Sequence, residues 1–102
     1  MTDPIADTIK LAIYRCETYD IFEFERWLLT QPDKLVRTAA TLPPNRIYEG
    51  PLSKLYYVRG YGKDGHVVLG FVEDDDGAVI HADPGELRDV TDELRRRFGL
   101  LK

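Results

Sequence analysis

The chain is poor in the residues that carry most covalent catalysis. It has one cysteine, Cys16, one serine, Ser53, and two histidines, His66 and His81. A single cysteine forbids an internal disulfide and fits a reducing compartment. One serine makes a serine-triad enzyme improbable, and Cys16 falls in a helical apolar stripe, where a buried thiol is the usual meaning. No apolar run approaches the roughly 18 residues that span a bilayer. The opening segment MTDPIADTIK lacks the basic-then-apolar order of a signal peptide. The expectation from these absences is a cytoplasmic protein with no membrane partner.

Motifs for ions and phosphates fail as well. His66 and His81 have no ligand-like spacing to Cys16. The run Glu73-Asp74-Asp75-Asp76-Gly77 lacks the alternating ligands and closing Glu of a calcium loop, and reads as a solvated hairpin tip. Gly60, Gly62 and Gly65 match the G-x-G-x-x-G rhythm. They sit in a hairpin with no helix behind them, and a phosphate cradle needs that helix N-terminus. No metal and no cofactor is expected.

What is present suits a single domain over residues 1–102, 43% hydrophobic and 31% charged. Net charge is −4, which argues mildly against non-specific nucleic-acid binding. Residues 1–72 hold nine acidic and nine basic side chains, and residues 73–102 hold nine and five, so the excess lies in the last third.

Pattern divides the chain near TLPPN, residues 41–45. Before it, residues 1–42 read as two or three helices. Asp3 and Pro4 form a start signal, followed by Ile5, Ile9, Ala12 and Cys16 at helical spacing. Asp20 with Glu23 resembles a capping box for a second helix bearing Ile21, Phe24 and Leu28, which Pro32 ends. Leu35, Val36 and Ala39 mark a shorter third. After the prolines the period falls to two. RIYEG suggests a short strand, and residues 53–62 and 66–74 form a hairpin. A third strand follows the acidic turn, so residues 46–83 make an antiparallel sheet of three to four strands.

The tail allows two readings. In the favoured one, Asp83 caps a helix over residues 84–99 with Leu87, Val90, Leu94 and Phe98 on its buried stripe, Arg95, Arg96 and Arg97 against the C-terminal dipole, and Gly99 closing it. The fold class is then α+β, the N-terminal helices packing on the sheet. In the alternative, DPGEL is one tight turn, RDVT a short strand, and helix begins at Asp92. That order of meander, one-turn helix and short strand resembles an SH3-like barrel over residues 52–91, a likeness of shape that implies no function.

A two-residue Asp64-Gly65 turn would set the hairpin register. Tyr61 then faces Val68, Arg59 faces Gly70 and Tyr57 faces Val72. Tyr56, Val58, Val67, Leu69 and Phe71 share an apolar face, assigned to the core under the helices. The other face carries Tyr57, Arg59 and Tyr61. With Asp76-Gly77 as the next loop, His81 joins the row of Tyr57 and Val72, and Asp83 joins that of Arg59 and Gly70. Gly70 would leave room for Arg59 to lie across toward Asp83, two strands or about 9.6 Å away. This register also puts Ile80 and Ala82 on the apolar side.

Tyr57, Arg59, Tyr61, His81 and Asp83 are therefore the candidate binding residues. Tyrosine offers apolar area with a polar tip and arginine a planar fork, both common anchors of protein interfaces. The plain alternative for Arg59 and Asp83 is a structural ion pair beside a helix cap. The functional expectation is a small non-catalytic interaction module, a regulator, adaptor or neutralising partner, binding another protein or a second copy of itself. A second reading is RNA or single-strand binding, from Arg46, Lys54, Arg59 and Lys63 interleaved with tyrosines. A third is a small hydrolase with His81 as base and Asp83 as its orienting carboxylate.

Overall fold

The computed structural model describes residues 4–73 and 77–98. Asp3, Gly99 and the acidic residues Asp74, Asp75 and Asp76 lie outside them. Four helices and a five-stranded antiparallel sheet make an α+β fold, with the N-terminal helices on the sheet.

The helices are α1 (Pro4–Glu17), α2 (Ile21–Leu28), α3 (Asp33–Thr41) and α4 (Thr91–Arg97). Asp20 caps α2 as its sequence suggests, the Glu23 N–H donating to Asp20 Oδ1 at 3.2 Å. That helix stops at Leu28, and Pro32 serves instead as the N-cap of α3. The strands are β1 (Ile47–Glu49), β2 (Leu55–Tyr61), β3 (Val67–Phe71), β4 (Val79–Ala82) and β5 (Arg88–Asp89), in the order β4-β3-β2-β1-β5.

The tail follows the less favoured of its two readings. Residues 84–86 are a single 3₁₀ turn, β5 pairs with β1, and helix occupies only residues 91–97. Two buried polar contacts make the interruption. The Thr91 hydroxyl, fully buried, accepts from the Ile47 N–H at 2.8 Å, and the Val90 N–H donates to the Ile47 carbonyl at 3.0 Å. Leu87 and Val90 consequently enter different apolar clusters rather than one helical stripe.

The hairpin register also differs from expectation. The Gly62 N–H donates to the His66 carbonyl at 2.9 Å, so residues 63–65 form a three-residue loop. Gly65 closes it at φ +95°, a left-handed conformation that suits glycine. A bulge then adds one residue to β2. Val58 pairs with Leu69 and Gly60 with Val68, leaving Arg59 as the extra residue. Tyr57 faces Gly70, and Tyr61 faces Val67 on the core side. The third strand lies further along than expected, with Gly70 opposite Val79 and Val68 opposite His81. That slip is by an even number of residues, so Ile80 and Ala82 still face inward, opposite Leu69 and Val67.

Both sides of the sheet carry core. Tyr48, Tyr56, Val58, Val67, Leu69 and Ala82 pack together on the inner face with Leu42. On the opposite face Ile47, with Leu55 and Val72 beside it, packs against Ile9, Ile13 and Cys16 of α1 and Leu94 of α4. The expectation of one covered and one open face fails because α1 and α4 cover the strands nearest β5. No helix among the described residues is long and apolar enough to cross a membrane.

Candidate functional site

The bulge decides where the candidate residues go. Beyond it the alternation of β2 is inverted, so Tyr61 turns away from Tyr57's face and enters the space beneath α2 and α3. Its hydroxyl donates to the Leu42 carbonyl at 2.6 Å, and burial pushes the phenol far above the ordinary tyrosine range. Its ring centroid lies 6.0 Å from that of Phe24 and 6.3 Å from that of Trp27, while Phe24 and Trp27 stack at 5.9 Å. Tyr19 meets Phe24 edge-on at 6.4 Å.

These four rings line an open groove of about 680 Å³ between α2 and the end of β2. Pro44, Val58 and Gly60 complete its floor, and Asp20, Glu23 and Arg59 supply its charges. Phe24 is buried, whereas Tyr19 and Trp27 are each 42% exposed. Burial raises the Tyr19 phenol, and the Glu23 and Asp20 carboxylates raise it further. Arg59 is exposed and makes no ion pair among the described residues.

The remaining candidates are dispersed. Tyr57 stays on the outer face, and its ring occupies the space above Gly70. A Cβ on Gly70 would stand 2.5 Å from Tyr57 Cζ and 2.7 Å from its hydroxyl oxygen. The glycine therefore makes room for Tyr57 and not for Arg59. Tyr57 borders a second cavity of about 440 Å³, walled by Leu11, Ala12 and Cys16 of α1 and by Ile47, Phe71 and Val72. The two cavities share Tyr19, Pro44 and Val58. Burial raises the Cys16 thiol, which suits an inert core cysteine.

No ion pair joins Arg59 to Asp83, and no hydrogen bond joins His81 to Asp83, among the described residues. Instead the Asp83 N–H donates to Glu86 Oε2 at 3.1 Å in the 3₁₀ turn, and the His81 ring lies 4.8 Å from that of His66. The basic set of the nucleic-acid reading is likewise divided. Arg46 is held by Asp89 at 2.7 Å and Asp92 at 3.4 Å, and the Lys54 ammonium sits over the Phe71 ring at 5.5 Å. No group of three or more His, Cys, Asp or Glu among the described residues is arranged to hold a metal ion.

Sequence reasoning missed Tyr19, Trp27 and Pro44 as site residues. A signal existed for the first two: Tyr19 and Trp27 flank the Ile21, Phe24, Leu28 stripe, and an aromatic beside an apolar stripe marks a helix edge that meets solvent at a groove. Comparison with family models, curated proteins and solved structures gives no match.

Proposed function

We propose that this chain is a non-catalytic protein-interaction module whose contact surface is the groove between α2 and β2. The observation that carries the reading is the set of Tyr19, Phe24, Trp27 and Tyr61 rings around one open groove, with Arg59, which makes no ion pair among the described residues, beside them. Aromatic walls give apolar area that is already ordered, so an entering side chain loses its own freedom and little of the groove's. The guanidinium offers a planar fork for a carboxylate. The fitting occupant is a short segment of another protein bearing an apolar or aromatic anchor and, near it, an acidic group. A regulator, adaptor or neutralising partner would work this way, and a chain with a single buried thiol suits a reducing compartment.

Trp27 is the only tryptophan, so its emission reports on the groove alone. Peptides selected from a displayed library against the protein should change Trp27 emission on titration. They should lose about 10-fold or more in affinity against Arg59→Ala, as removal of a charge-assisted pair implies. Selected peptides that bind both proteins equally and leave the emission unchanged contradict the assignment. A second copy of the chain as occupant would show as concentration-dependent mass in light scattering, abolished by Trp27→Ala.

A further inference from the structure

The chain's two histidines are 15 positions apart in sequence and have no ligand-like spacing, yet the β3–β4 register brings them ring to ring. His81 lies opposite Val68, one alternate position from His66, so both imidazoles stand on the outer face near the hairpin turn. Their centroids are 4.8 Å apart at an interplanar angle of 37°. From this geometry we infer that His66 and His81 form a two-nitrogen chelate for a late first-row divalent ion, of the Zn²⁺, Ni²⁺ or Cu²⁺ type.

Three features of the turn support it. The His66 Nδ1 is in contact with Asp64 Oδ1, which also accepts the His66 backbone N–H at 3.2 Å. A carboxylate on Nδ1 selects the tautomer whose Nε2 carries the lone pair, the arrangement commonly found behind a metal-bound histidine. The imidazole also lies against Gly62, where a Cβ would overlap the ring, so the turn holds its orientation as well as its tautomer. Finally, the His66 side chain keeps 29% of its accessible surface and His81 is exposed, so an ion can reach the pair from solvent. Metal–nitrogen bonds of about 2.0–2.1 Å to each ring are compatible with ring centroids this far apart. The protein supplies two ligands, and water completes the coordination. Imidazole donors suit copper, nickel and zinc, with copper bound most tightly.

The probes are ZnCl₂, NiCl₂ and CuCl₂ with the full chain, followed by calorimetry and, for copper, by electron paramagnetic resonance. Wild type should bind one ion per chain, with two equatorial nitrogens on copper. His66→Ala and His81→Ala should each weaken binding at least 10-fold, and Asp64→Asn should weaken it about 10-fold or more while both nitrogens remain. Denaturation midpoints of the variants should stay within a few degrees of wild type, which separates lost chelation from lost folding. Affinity unchanged in His81→Ala, or a copper spectrum with a single nitrogen, overturns the inference. Neither result bears on the α2–β2 groove.

Discussion

Tyr61 is the residue whose placement turns on the Arg59 bulge, and its removal has a computable cost. Were β2 regular, Tyr61 would stand on the open face and Tyr61→Ala would change stability by no more than about 0.5 kcal/mol. In the structure the ring packs on Phe24 and Trp27 and its hydroxyl satisfies the Leu42 carbonyl. Truncating a buried aromatic costs about 3–5 kcal/mol. Tyr61 keeps partial exposure, so the low end applies, about 3 kcal/mol. Urea denaturation followed by circular dichroism reads this directly. With a slope of about 1–3 kcal/mol/M, the midpoint should fall by roughly 1–3 M. Tyr61→Phe isolates the hydroxyl and should cost about 1 kcal/mol, the net worth of one hydrogen bond. Deleting Arg59 removes the extra residue but leaves Gly60 opposite Val68 and Tyr61 opposite Val67, so Tyr61 stays on the core face and the deletion should cost less than Tyr61→Ala. A loss below about 0.5 kcal/mol for Tyr61→Ala would refute the bulged register.

Other expectations follow from single contacts. Gly70→Ala should destabilise by pushing the Tyr57 ring aside, and the penalty should shrink in the Tyr57→Ala background, a coupling that a double-mutant cycle measures. Leu52 holds φ +65° while 80% exposed, so Leu52→Gly should leave stability unchanged or raise it by up to about 1 kcal/mol in the same urea assay. Asp89 accepts from Arg46 at 2.7 Å and from the Thr91 N–H and hydroxyl at 2.9 and 2.8 Å, so Asp89→Ala should cost about 1–2 kcal/mol by leaving the partly buried Thr91 and Arg46 donors without their acceptor. Although burial acts the other way, these donors hold its carboxyl below the ordinary aspartate range. Its contribution is therefore present above about pH 4 and lost as pH falls through the lowered value, which Asp89→Asn should abolish from the acid limb of the stability profile. At the alkaline end burial raises the Tyr48 and Tyr61 phenols, so the stability they give is full below about pH 10 and lost as pH rises beyond it. Ultraviolet titration should show these phenols ionising only with unfolding.

Much of the architecture was legible because local chemistry and tertiary packing agree. The prolines at 43 and 44 separate helix from sheet, Asp20 caps α2, and the period-two run from residue 46 becomes the meander. Ile80 and Ala82 face inward as their apolar character requires. Three features escaped, each for a physical reason. The Asp64-Gly65 pair serves a three-residue loop as readily as a two-residue one, and the difference of one residue slides the hairpin. The bulge at Arg59 has no local signal beyond the glycine after it, yet it moved Tyr61 from the presumed contact face to the groove. The tail has good helix chemistry throughout, but the bonds of Val90 and Thr91 to Ile47 outweigh it, and those partners are over 40 positions distant. As a result Arg59 and Tyr61 remain at one site, while Tyr57, His81 and Asp83 do not join them.

The groove assignment is tested most directly by backbone amide chemical shifts during titration with a peptide that binds. Shifts should concentrate at residues 19–27 and 58–61, with the Trp27 indole N–H among the largest. Shifts confined to residues 66–68 and 79–83, or to α4, would place the contact surface elsewhere and contradict the account.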